Sequence, residues 1–141
     1  MTIVVVRHAS AGKAKEWQGD DRLRPLDERG RAQAEGLVDL LRVYGLTTIL
    51  SSAALRCVQT VEPLATALGL EVEEREKLAE GSEADDVLPL VSSLPDDVVL
   101  LCTHGDVVQQ ILGDESAKGS TWVLRFDDGE LTRVEYLPPA A

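Results

Sequence analysis

Basic charge is scarce in this chain of 141 residues: 14 lysines and arginines stand against 25 aspartates and glutamates, a net charge of −11. Such a balance excludes nonspecific binding to nucleic acid or to an anionic membrane, and any cationic pocket must be built locally against the average field. Cysteine is sparse as well. Cys57 and Cys102 are too few and too scattered for a disulfide framework or a zinc site, so a reduced, cytoplasmic setting is expected. Long hydrophobic runs are missing: the apolar N-terminal stretch ends at Arg7, too short for a signal peptide or a membrane span. Repeats, linkers and low-complexity segments are also missing, and residues 1–141 are read as one domain with one substantial core.

Several chemistries lack their motifs. A cysteine phosphatase needs arginine six positions after its cysteine, but Cys57 reaches Pro63 and Cys102 reaches Val108 at that spacing. There is no GxxxxGK[ST] loop, no GxGxxG after a strand, and no GxSxG elbow. A metal held by the two histidines would want converging carboxylates, and Asp106 is the single obvious candidate, so neither metal nor other cofactor is expected.

Strands alternating with helices are what the sequence does contain. Ile3–Val6 is a continuous β-branched run, the pattern of a strand buried on both faces. Residues 9–27 read as a long polar loop, a feature that is often functional in a compact domain. Ala34, Leu37, Val38 and Leu41 fall at helical spacing between Glu28 and Tyr44, with Asp27 as N-cap and Gly45 at the end. Thr47–Ser52 is a second strand, and Ser52 suits the N-cap of a helix from near Ala53 to Gly69, with Pro63 as a kink or early stop. A weak, charged strand over "LEVEERE", a helix from near Ser82 to before Pro95, a strong strand at Val98–Cys102 and a helix from about Asp106 to Leu112 follow. The last segment alternates as a hairpin turning at Asp127–Asp128–Gly129, and the tail "PPAA" is expected to fray. The sum is an α/β chain with a mostly parallel central sheet, helices on both faces and a C-terminal hairpin at one edge.

The chain has two histidines, and both follow apolar strands: His8 in "IVVVRHASAG" and His104 in "VVLLCTHGD". Ligands in open α/β sheets bind outside the carboxyl ends of strands. If the two strands are neighbours, the imidazoles face one another across a crevice. A single histidine at a strand end is more often structural; two at equivalent ends argue for chemistry. Arg7 adjoins His8, and Arg56 opens the helix after the second strand, so two guanidinium groups join the pair and suit phosphate.

In these stretches the chain resembles the histidine phosphatase superfamily, with its phosphoglycerate-mutase-like three-layer fold. "VVVRHASAG" is similar to the family's opening Arg-His-Gly signature, and "RPLDERGRAQAEGL", "SSAALRCVQTVEPLA" and "CTHGDVV" match its later blocks in order. The short length is similar to SixA-type phosphohistidine phosphatases. "GDD", "RC-QTVEPLA" and "KGSTWVL" resemble the histidine-phosphatase domain that follows a Nudix domain in actinobacterial MutT-like proteins. No Nudix box is present, so a stand-alone version is expected.

The resemblance implies roles. His8 would be the nucleophile, forming a phosphohistidine that water hydrolyses, and Arg7, Arg56 and His104 would bind the phosphoryl oxygens. Arg24 matches a further phosphate contact. Glu80, in "KLAEG", is similar in place to the family's proton donor, against the plainer reading of a solvated loop carboxylate. Ser10 either donates to phosphate or caps the loop, Lys118 is a candidate phosphate contact, and Trp122 is either a substrate contact or core. Ala9 departs from the usual glycine, and Asp106 puts a carboxylate where small apolar residues are usual. The expected activity is a phosphohistidine phosphatase of SixA type. The alternatives are a phosphatase of nucleotides or small phosphometabolites and a non-catalytic phosphate-binding module. The partner is accordingly a phosphorylated protein or small phosphorylated substrate.

Overall fold

Alternate residues of the first strand go to different cores, and this one fact sets the layers. In a computed structural model that describes residues 1–95 and 97–141, β1 (Thr2–Arg7) sits inside the sheet with Ile3–Val6 fully buried. Val4 and Val6 pack with Leu100 and Cys102 under the helices α1 (Glu28–Leu41) and α2 (Leu55–Leu68). Ile3 and Val5 pack with Val99 and Leu101 under α3 (Ala84–Ser92) and α4 (Gly105–Leu112). Period-two alternation between two apolar faces makes a helix–sheet–helix sandwich. Each of these buried side chains contributes about 1.5–3 kcal/mol.

The remaining strands are β2 (Thr48–Ser51), β3 (Val72–Glu74), β4 (Val98–Thr103), β5 (Thr121–Asp127) and β6 (Glu130–Leu137). Their order among the described residues is β3-β2-β4-β1-β5-β6. The first four run parallel, while β5 lies antiparallel to β1 and β6 antiparallel to β5. This is the mostly parallel sheet with a hairpin at one edge that the sequence predicts. Asp128 (φ 51) and Gly129 (φ 81) supply the two left-handed positions that a tight two-residue hairpin needs.

β1 and β4 are neighbours, pairing Val4 with Leu100 and Arg7 with Thr103. The ladder runs one step further, His8 N donating to Thr103 O at 2.9 Å. On the other side of β4, Ser52 N donates to Cys102 O at 3.0 Å. His8, His104 and Ser52 thus leave three adjacent strand ends side by side.

Four local expectations need correction. Pro63 does not stop α2 early; it lies inside the helix, which runs on to Leu68. Ser52 is not its N-cap: the helix starts at Leu55 with Ala54 in that place, and the Ser52 hydroxyl bonds His104 Nε2 at 2.9 Å while accepting from Ala54 N at 3.3 Å. The charged strand shrinks to Val72–Glu74 at the sheet edge, where charge discourages further pairing. The C-terminal tail does not fray; Ala140 rests against Gly36 of α1, and Gln33 Nε2 donates to Ala141 O at 3.2 Å.

Candidate active site

The loop after β1 is tied down by one carboxylate. Asp27 caps α1 by accepting from Gly30 N at 2.8 Å, and its second oxygen accepts from Ser10 Oγ at 2.7 Å and Gly12 N at 2.9 Å. Burial pushes the Asp27 carboxyl upward, but these three donors outweigh it and hold it below the usual range. Ala9 N donates to Thr60 Oγ1 at 2.9 Å, and Ser10 N to Gln33 Oε1 at 2.9 Å. The strand-end histidine therefore stands on a fixed backbone.

His8 is almost fully buried, and its Nδ1 lies 2.9 Å from Ala9 O. A carbonyl accepts only, so Nδ1 carries the proton and Nε2 keeps its lone pair. Burial pushes the imidazolium down to about 3; the Ala9 carbonyl opposes this, and the positive groups of His104, Arg56 and Arg7 add to it. At neutral pH the ring is an uncharged base with one free nitrogen. The same depression has a stability consequence. The unfolded chain takes up a proton on this residue near pH 6.5 and the folded chain only near 3, so stability falls as pH drops through that interval. His8 contributes a slope of up to about 1.4 kcal/mol per pH unit there. Urea unfolding of His8→Asn is expected to lose about 2 kcal/mol less than wild type between pH 6.5 and 4.5. Parallel curves for the two proteins would show that the slope has another source.

His104 faces His8 edge-on, with ring centroids 5.5 Å apart. Its Nε2 sits 2.9 Å from Ser52 Oγ, which leaves Nδ1 toward Arg56 NH2 and Glu80 Oε1, each at 3.5 Å. Arg56 is only 2% exposed although arginine is rarely buried. Its guanidinium donates to Asp21 O at 2.8 Å, lies 3.1 Å from the Asp21 carboxylate, and holds Glu80 Oε1 in a short ion pair. Arg7 is clamped from the opposite side: NH1 donates to Ser116 O, while Gly119 N donates to the Arg7 and His8 carbonyls. A Cβ on Gly105 would lie 2.7 Å from Arg7 Cζ, so only glycine lets the guanidinium lie flat on the start of α4. Arg7 Nε and Arg56 Nε are buried donors without an acceptor among the described residues.

These groups line a cleft of about 680 Å³ at the carboxyl end of the sheet. Arg7, Lys13, Arg24, Arg56 and Lys118 supply five permanent positive charges to it, against the carboxylates Glu80, Asp106 and Glu115. A cationic excess inside a chain of net charge −11 is an anion site by construction. Of the residues singled out from sequence, eight share the cleft: Arg7, His8, Arg24, Arg56, Glu80, His104, Asp106 and Lys118. Arg24 reaches it through Asp21 (2.9 Å) and Ala11 O (2.6 Å). Ser10 lies outside, its hydroxyl donated to Asp27. Trp122 lies on β5, 4.9 Å from the Tyr136 ring and under Arg133, away from the cleft. The sequence reading misses Asp21, Thr60 and Ser116, whose bonds to Arg56, Ala9 and Arg7 span 35 to 109 residues and leave no local signal.

The profile of the histidine phosphatase superfamily (branch 1) matches residues 3–85, more than half of the chain. The chain belongs to the histidine phosphatase superfamily. It is a hydrolase that removes phosphate, as the family assignment and its phosphatase relatives support. The chain is 40% identical, over 98% of its own length, to an 8-oxo-(d)GTP phosphatase of Mycolicibacterium smegmatis (strain ATCC 700084 / mc(2)155), and it spans about half (48%) of that protein. A structure assigned as a SixA phosphohistidine phosphatase from Agrobacterium tumefaciens is 25% identical, with a TM-score of 0.79 and 98% of each chain covered. The protein histidine phosphatase SixA complexed with tungstate superposes with a TM-score of 0.88 over 99% of this chain and 97% of its own, at 20% identity, a likeness of fold. No helix among the described residues is long and apolar enough to cross a membrane.

Proposed function

We propose that this histidine phosphatase hydrolyses a phosphate ester or anhydride of a small phosphorylated molecule, nucleotides foremost, through a phosphohistidine on His8 Nε2. The observation that carries the reading is the His8 tautomer: a buried, neutral ring held by Ala9 O, with one nitrogen free, in a cleft it shares with the guanidinium groups of Arg7 and Arg56. Nε2 attacks phosphorus, the P–N bond forms and the P–O bond to the leaving group breaks. Arg7, Arg56 and His104 bind the equatorial oxygens, where each well-placed donor is worth about 3–4 kcal/mol in the transition state. Arg24 stands behind the loop, and Lys13 and Lys118 stand at the rim, suited to a second phosphate of a nucleotide. Water then attacks phosphorus and His8 is regenerated.

Glu80 supports the choice of leaving group. Its carboxylate lies on Arg56 and 3.5 Å from His104 Nδ1, at the cleft wall, although the side chain as a whole is 57% exposed. An arriving phosphate dianion takes over Arg56 and leaves the Glu80 carboxyl group beside the departing oxygen, placed to hand it a proton. Esters and anhydrides with poor leaving groups need such a donor. The relative at 40% identity points the same way by its name. A second reading, phosphohistidine on a protein, is favoured by the matching size and 25% identity of the SixA-assigned structure.

The test is a panel assayed in EDTA, with nucleoside di- and triphosphates (8-oxoguanine forms included) beside a phosphorylated histidine-containing carrier domain. Phosphate release from nucleotides at least tenfold faster in kcat/KM supports the first reading. The reverse preference replaces it by the second, and activity on neither substrate class favours a phosphate-binding module.

A further inference from the structure

Glu80 sits on an irregular turn, between the short 3-10 turn at Glu76–Leu78 and α3, and more than half of its side chain is exposed. A carboxylate on such a turn would ordinarily sample many positions. Here the β4–α4 segment grips the turn at three points. Thr103 Oγ1 donates to Leu78 O at 2.6 Å, the Asp106 carboxylate accepts from Gly81 N at 2.8 Å, and Gln110 Oε1 accepts from Ala84 N at 3.4 Å. The middle grip is the one next to Glu80 in sequence. It also comes from the same four residues that carry His104, because Thr103, His104, Gly105 and Asp106 are consecutive. The Asp106 carboxylate lies in the first turn of α4, where a helix favours negative charge.

We propose that Asp106 is a positioning residue for Glu80: through Gly81 N it fixes the turn so that the carboxyl group meets the leaving oxygen of a substrate held by Arg56 and His104. This gives a negative residue in an anion cleft a use, since one of its carboxylate oxygens holds a backbone N–H of the turn. The inference rests on Glu80 as proton donor in the reading above. In that step the bond from His8 Nε2 to phosphorus forms, the bond to the leaving oxygen breaks, and the Glu80 proton passes to that oxygen.

Leaving-group dependence tests it. An alkyl phosphate needs the proton, whereas 2,4-dinitrophenyl phosphate leaves as a stable anion and does not. Glu80→Gln is expected to lose about 10²–10³-fold in kcat on the alkyl ester and far less on the dinitrophenyl ester. Asp106→Ala is expected to show the same asymmetry at about 10- to 100-fold, the size of effect that a misplacement near 1 Å produces. Asp106→Asn keeps an acceptor oxygen for Gly81 N but drops the charge, and is expected to recover the alkyl rate to within a few-fold of wild type. The dinitrophenyl rate reports in the same assay that each variant is folded. An equal loss on both esters in Asp106→Ala, or an Asp106→Asn no better than it, overturns the positioning role while Glu80→Gln stays asymmetric. A symmetric Glu80→Gln overturns the proton-donor reading and this inference with it.

Discussion

His8→Ala protein is expected to release no phosphate above background from p-nitrophenyl phosphate, a fall of roughly 10⁴-fold or more in kcat, the size seen when a nucleophile is removed. The loss concerns the pathway and not merely the affinity. With no imidazole at position 8, whose ring centroid lies 5.5 Å from that of His104, the cleft loses the neutral nitrogen that takes up phosphorus, and the arginines alone bind substrate without turning it over. Wild-type protein quenched during turnover is expected to carry phosphate that survives alkali and is released by acid, and His8→Ala none. Phosphorus NMR of that species places the group on Nε2, because Nδ1 is engaged with Ala9 O. Equal turnover by wild type and variant would end the assignment of His8 as nucleophile, and phosphate on Nδ1 would end the argument from tautomer.

Arg56→Ala is expected to lower kcat/KM by about 10³-fold, near 4 kcal/mol, because it removes a fork of donors that lies beside both imidazoles. Arg56→Lys is expected to recover little of this. An ammonium on the same helix restores charge but not the planar pair of N–H groups. The stability cost is expected to be smaller, about 1–2 kcal/mol, because the two carboxylates it leaves behind, on Asp21 and Glu80, are roughly half exposed and rehydrate. Steady-state kinetics alongside a melting curve separates the two effects. A variant within tenfold of wild type in kcat/KM would take Arg56 out of the phosphate clamp.

The elements most easily read were those whose pattern has a single physical meaning. Ile3–Val6 and Val98–Cys102 are apolar on both faces, so they lie inside a covered sheet, and whatever follows them emerges at its carboxyl edge. His8, His104 and Arg56 were legible as a site for that reason. Ser52 was misread because a serine before a helix normally caps it; the helix instead starts three residues later, at Leu55, and β4 delivers His104 to within 2.9 Å of the Ser52 hydroxyl. Ser10 and Asp106 were ambiguous for a related reason, since a polar side chain near an anion site either meets the anion or serves the backbone. Both serve the backbone contacts described, Ser10 through Asp27 and Asp106 through Gly81 N.

Strand pattern by itself determined an α/β sheet with both histidines at strand ends, and the order of motifs resembled the family that the profile match shows. Tertiary structure alone decided that β4 inserts between β2 and β1, which sets the two imidazoles face to edge. It also decided which nitrogen of His8 is free, and what holds Arg56 in place from 35 residues away. The reason is range. Periodicity and strand ends are local properties of the chain, whereas a tautomer, a buried guanidinium and a gripped turn depend on partners that only folding brings within 3.5 Å.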